Sequence, residues 1–93
     1  MSVTVKIPTP LRALTGERDT VSTQAATLGG VVEELEGAFP GIRERLCDEG
    51  GSLRRFVNVY VNGEDVRFLQ GLETELSEGD EVSIVPAVAG GSS

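Results

Sequence analysis

The residues whose type and spacing could do chemistry stand at the end of the sequence. They are Gly90 and Gly91, in Val85-Pro86-Ala87-Val88-Ala89-Gly90-Gly91-Ser92-Ser93. Neither glycine has a side chain, so both can lie in a narrow channel and let another protein's backbone or a nucleotide come close. If the stretch is extended, the residues after Pro86 reach roughly 20 Å, at about 3.3–3.6 Å per residue. Gly-Gly-Ser-Ser is also the composition of a flexible linker, and many chain ends do nothing. What precedes the glycines decides between these readings.

The remaining inventory is poor in catalytic groups. The sequence has no histidine, so the commonest general base at neutral pH and the commonest zinc ligand are both missing. No Ser-His or Cys-His arrangement can be built. No Gly-Lys-Ser/Thr triplet marks a Walker-type phosphate loop. Cys47 is followed by Asp48 and Glu49, two acids that raise a thiol's pKa and blunt its thiolate. We read Cys47 as a passive residue at a helix end. The expectation is a protein that is not an enzyme, with no bound cofactor and no metal.

Composition narrows the class. The 93 residues are 39% hydrophobic and 25% charged, which fits one globular domain with a modest core. A lone cysteine excludes an internal disulfide and fits a reducing cytoplasm. No apolar run is long enough for a membrane span, and the start lacks the pattern of a signal peptide. Fifteen acidic side chains against eight basic ones leave a net charge of −7. Such a chain repels nucleic acid and anionic membranes and is drawn to a basic docking site on a protein. The same charge also serves plain solubility.

The elements that must carry the glycines follow from periodicity. Val3, Val5 and Ile7 alternate with polar residues, which predicts a half-buried strand ended by Pro8 and Pro10. Leu11 to Gly16 is a short turn, and Gly16 with Glu17 reverses the chain. Asp19 to Thr23 is a weak strand that pairs with the first. Thr27 is placed to cap a helix in which Leu28, Val31, Val32, Leu35 and then Ala38 or Phe39 share a face. Glu33, Glu34 and Glu36 face water. Gly29 and Gly30 weaken this helix by roughly 1 kcal/mol each relative to alanine. Gly37, Pro40 and Gly41 end it, and Ile42 to Leu46 adds one more turn.

Phe56 to Asn62 alternates most clearly, with Val57, Val59 and Val61 on one face and Phe56, Asn58 and Tyr60 on the other. Asn62-Gly63 predicts a type I′ hairpin, and Glu64 to Phe68 is the expected returning strand, with Val66 and Phe68 on one side. A short 3₁₀ turn between Gln70 and Leu76 packs Leu72 and Leu76. Glu81 to Val85 is the last strand, with Val82 and Ile84 inward. The order β, β, α, β, β, β predicts an α+β fold, a sheet of four to five strands with one main helix on one face. The last strand is expected at the centre, parallel to the first. The domain then spans 1–86, followed by a flexible tail, 87–93. The uncovered sheet face should present Phe56, Tyr60 and Val85, with Pro86 beside them, as a partner-binding surface.

Several stretches, taken together, resemble the ubiquitin-like β-grasp sulfur carriers of the MoaD/ThiS family. They are Val3-Thr4-Val5, Leu11-Arg12-Ala13-Leu14-Thr15-Gly16, the helix from Leu28, Gly79-Asp80-Glu81-Val82, and Pro86-Ala87-Val88-Ala89-Gly90-Gly91. The run from Leu53 through Val57-Asn58-Val59-Tyr60-Val61-Asn62-Gly63 to Phe68 is similar to the CysO subgroup, which serves cysteine synthesis and has been borrowed for other sulfur-containing products.

The resemblance implies a mechanism carried by partners. An adenylating enzyme of the ubiquitin-activating type uses ATP to activate the Gly91 carboxylate, which then takes sulfur and becomes a thiocarboxylate. In the CysO subgroup that sulfur attacks an aminoacrylate held by a PLP-dependent cysteine synthase, and a zinc metalloprotease cuts the product free. Val88, Ala89, Gly90 and Gly91 would thread into those active sites. Here Ser92 and Ser93 follow Gly91, whose carboxyl is therefore in a peptide bond. Either a deubiquitinase-like zinc metalloprotease trims them, or the two serines are not native. A ubiquitin-like modifier joined to lysines through Gly91 needs the same fold and activation, and so does the small subunit of a molybdopterin-synthase-like complex.

Overall fold

Apolar residues at every second position bury one face of a strand, as in Val3–Lys6, Val57–Val61 and Glu81–Pro86, and two shorter strands complete a single five-stranded sheet. The computed structural model describes residues 2–86. The strands are β1 (Val3–Lys6), β2 (Thr20–Thr23), β3 (Val57–Val61), β4 (Glu64–Asp65) and β5 (Glu81–Pro86), in the order β2-β1-β5-β3-β4. The tail residues 87–93, and with them the flexible-tail expectation and the threading residues Val88, Ala89, Gly90 and Gly91, lie outside the described residues.

β5 is central, as expected. It runs parallel to β1, with Val5 opposite Val82, and antiparallel to β3, with Val59 opposite Ile84. β1 also pairs antiparallel with β2, Val5 opposite Val21. Between β1 and β2 the expected short turn is a 3₁₀ helix, Thr9–Thr15. It closes where Gly16 and Glu17 both adopt positive φ, 67° each. The buried hydroxyl of Thr15 holds this corner by reaching the carbonyls of Arg12 and Arg18.

Helix α1 (Leu28–Ala38) covers one face of the sheet. Its start is fixed by Thr27, whose hydroxyl accepts from the Gly30 amide at 3.1 Å and so satisfies one of the unpaired first-turn donors. Leu28, Val31, Val32 and Leu35 pack against Val3, Val5, Val57, Val59, Val82 and Ile84 to form the core. Phe39 joins its edge, while Ala38 is exposed. A short helix, α2 (Ile42–Leu46), follows and buries Ile42 and Leu46.

Two expectations change here. Glu36 does more than face water: its carboxylate accepts from the amides of Gly41 and Arg43 and caps the start of α2. Those bonds, Arg43 first, hold its pKa below the usual carboxylate value. The second change is after the hairpin. Asn62 and Gly63 take positive φ, 52° and 90°, as a type I′ turn requires, but β4 lasts only two residues. Asp65 then accepts from the Arg67 amide and caps a 3₁₀ turn, Val66–Phe68. Val66 is buried, whereas Phe68, expected beside it on one strand face, is 87% exposed. A second 3₁₀ turn, Gly71–Glu73, lies in the connection where one was expected. Leu76 is buried and Leu72 packs at the core edge.

Candidate functional site

The site is built where β5 ends. Val57 at the start of β3 is opposite Pro86, the last described residue. The tail therefore leaves from the central strand, next to the turn that leads into β3. On the sheet face away from α1, Asn58 stands opposite Val85 and Tyr60 opposite Ser83. Tyr60 and Val85 are thus diagonal neighbours, close enough for an aromatic and an aliphatic side chain to share one patch. Val85 is 45% exposed and Tyr60 half-buried. On the same face Lys6 and Glu81 form an exposed ion pair at 3.4 Å, which contributes little to stability.

Of the four residues expected to form the partner surface, the structure brings Tyr60 and Val85 together. Phe56 stands outside β3, in the preceding turn, 52% exposed. It lines a shallow cleft with Glu44, Arg45 and Arg54. Pro86 is in register with the buried Val57 and marks the tail's root on the core-facing side of β5.

Sequence reasoning missed the residue that holds this end in shape. The Arg67 guanidinium donates to the carbonyls of Arg54, Arg55 and Val57 and to Asn58 Oδ1. One planar donor group with five N–H bonds can serve several acceptors at once. It ties the turn that carries Phe56 to the 3₁₀ segment beyond the hairpin. Nothing in the local sequence marks it, because its acceptors, three carbonyls and the Asn58 side chain, are 9 to 13 residues away.

At the opposite end of the sheet a second network locks β5. Asn62 donates through Nδ2 to Asp80 and accepts the Glu81 amide through Oδ1. Asp80 also accepts the Ser77 amide. The Ser77 bond first, and the Asn62 bond second, hold the Asp80 carboxyl below its ordinary range.

Cys47 is buried at the end of α2. Burial, more than its acidic neighbours, pushes its thiol pKa up; Asp48 and Glu33 add to this while Arg43 opposes it. Glu33, rather than the expected Glu49, is the second acid involved. Such a thiol is a poor nucleophile, in keeping with a passive residue. Among the described residues no group of three or more Cys, Asp or Glu side chains could hold a metal ion, and no helix is long and apolar enough to cross a membrane.

A family model described as the ThiS family matches residues 5–91. The chain belongs to the ThiS family. The match takes in Gly90 and Gly91 and stops before Ser92. The sulfur carrier protein CysO of Mycobacterium tuberculosis is 56% identical over 93 residues, covering 98% of this chain and all of the relative. Small archaeal modifier protein 3 of Haloferax volcanii is 44% identical over 66 residues, 71% of each chain.

Solved structures agree with this ThiS-family membership. CysO of Amycolatopsis orientalis, solved as a BexX/CysO complex, superposes with a TM-score of 0.90 at 50% identity, covering 95% of this chain and 98% of that one. CysO of M. tuberculosis gives 0.88 at 55% identity, covering 92% and 99%. The fold is the ubiquitin-like β-grasp, a mixed five-stranded sheet with the helix packed on it, and the chain is similar to CysO and other MoaD/ThiS-like proteins.

Proposed function

We propose that this chain is a protein sulfur carrier whose working group is the Gly91 carboxyl, exposed by removal of Ser92 and Ser93. One carboxylate oxygen attacks the α-phosphorus of ATP on an adenylating enzyme, and pyrophosphate leaves. Sulfide then displaces AMP from the acyl carbon and leaves a thiocarboxylate, a soft nucleophile that is ionised at neutral pH. A sulfur-acceptor synthase, of the PLP-dependent cysteine-synthase kind or one making another sulfur metabolite such as a thiosugar, takes the sulfur. The observation that carries this reading is the whole-chain similarity to sulfur carriers, in a family match whose last residue is Gly91.

The architecture suits the role. The tail departs from a central strand whose two ladders fix its root. The Tyr60–Val85 patch lies beside it and offers apolar contact to a docking partner. That a CysO has been solved together with a second protein supports a partner-borne mechanism. The carrier's own share is docking and delivery, and the catalytic groups are the partner's.

The test is to incubate chain ended at Gly91, and full-length chain, with the host's adenylating enzyme, ATP and a sulfide source, and to weigh both. The shortened chain should gain the mass difference between sulfur and oxygen, while full-length chain should not change until a zinc metalloprotease has trimmed it. Thiocarboxylate on untrimmed chain would sink the trimming step. The similarity to a small archaeal modifier favours a second reading, in which an amine rather than sulfide captures the activated Gly91. Gly-Gly remnants on lysines of a host digest, without thiocarboxylate in the intact carrier, would decide for it.

A further inference from the structure

Phe68 is the most exposed large apolar side chain described, at 87%, and Leu69 next to it is 39% exposed. The fold places it there by ending β4 at Asp65: had the strand continued, Phe68 would share a face with the buried Val66. Beside the pair is a cleft lined by Val61, Asn62, Glu64, Gln70, Thr74 and Glu75. Its charged residues are both acids. The Glu64 and Glu75 carboxylates have no ion pair or side-chain hydrogen bond among the described residues. The neighbouring cation, Arg67, is turned toward the carbonyls of residues 54, 55 and 57. The cleft lies at the Val61 end of β3, about 13 Å along the strand from the Val57 end where the tail departs, at roughly 3.3 Å per residue.

We propose that Phe68, Leu69 and this acidic cleft form a second docking surface, shaped for an apolar socket flanked by lysine or arginine on the adenylating enzyme. The proposal rests on the carrier reading above. Two arguments select that occupant. A narrow tail ending in Ala-Gly-Gly buries little apolar surface, whereas a specific interface takes about 800 Å² from each partner. The folded domain must therefore supply most of the affinity, and an exposed aromatic is the kind of anchor that does so. Charge makes the second argument. An enzyme that binds ATP gathers cations to hold a triphosphate, and a carrier with net charge −7 and two carboxylates beside its aromatic anchor is complementary to a basic rim.

The experiment measures pyrophosphate release by the host's adenylating enzyme against carrier concentration, using chain ended at Gly91, at low and at high salt. Phe68→Ser should raise KM about tenfold with kcat unchanged, as loss of an interface anchor does. The double variant Glu64→Gln, Glu75→Gln should raise KM about threefold at low salt, and the difference should vanish at high salt. Glu49→Gln, on the loop after α2, is the charge control and should match wild type. Thermal midpoints of all variants are recorded, because Phe68 and both glutamates are exposed and their substitution should leave folding intact. Unchanged KM for Phe68→Ser alongside an active wild type overturns the docking surface and leaves the carrier reading standing. Wild-type carrier that gives no pyrophosphate overturns the carrier reading, and the docking surface with it. Sedimentation showing self-association of wild type that Phe68→Ser abolishes would give the surface to a second copy and overturn the proposal as well.

Discussion

At the scale of single residues, polar side chains fasten the two ends of the sheet beside β5, Asn62 and Asp80 at one end and Arg67 at the other. Asp80 illustrates the physical consequence. Its folded-state pKa is held low by the Ser77 amide and the Asn62 side chain. Stability from those bonds is complete above the unfolded-state value, about pH 4, and drains away as pH falls through the lower folded-state value. We expect Asp80→Asn to unfold at lower denaturant concentration than wild type at pH 7. The gap should close as pH is lowered below about 4, as read from midpoints across a pH series. A gap that is constant with pH would show that the carboxylate's charge does not contribute. Asn62 was legible in the sequence as a turn residue, because Asn-Gly has a strong backbone preference. Its two bonds to Asp80 and Glu81 were not, since those partners are 18 and 19 residues away.

Elements show where local rules suffice and where packing overrules them. The valine alternation of β3 and the leucine and valine spacing of α1 could be read directly, since both periods report burial on one face. The end of β4 could not. Val66 and Phe68 are two apart, which imitates a strand, and the Asp65 cap that turns the chain away is a single side-chain hydrogen bond. Tyr60 and Val85 were legible as one patch for the same reason that β3 and β5 were. Phe56 was read as the first residue of this strand, and β3 starts one residue later, at Val57. Helix glycines give a second contrast. Propensity alone says that alanine at either Gly30 or Gly37 stabilises α1 by roughly 1 kcal/mol. A Cβ at Gly30 would stand 2.9 Å from the Ala25 Cβ, whereas at Gly37 there is open space. Gly37→Ala should therefore raise the thermal midpoint, and Gly30→Ala should lower it. A rise for both would mean that the segment before α1 yields more easily than its packing implies.

The whole molecule is organised around a strand that arrives last in sequence and sits in the middle of the sheet. In the sheet of the described residues β5 lies between β1 and β3, and Val82 and Ile84 are part of the core. Chain ended at Pro86 should keep a cooperative unfolding transition, while chain ended at Asp80 should have none, by circular dichroism on heating. A cooperative transition in the shorter chain would show that the remaining strands can close a core of their own. This topology follows from the order of elements and the right-handed rule for parallel connections, which is why the fold class could be read before any coordinates. Surfaces are less legible at this scale. Which charged groups face one cleft depends on three segments, around Glu64, Phe68 and Glu75, meeting in space.

The central position of β5 also bears on how the domain answers a mechanical load. A pull on the residues after Pro86 is delivered along β5, which lies between a parallel ladder to β1 and an antiparallel ladder to β3. Force along the strand shears both ladders together instead of unzipping one bond after another. A machine that draws in the protein by its C-terminal end meets its most strongly held strand first, and the domain resists until it gives way as a unit.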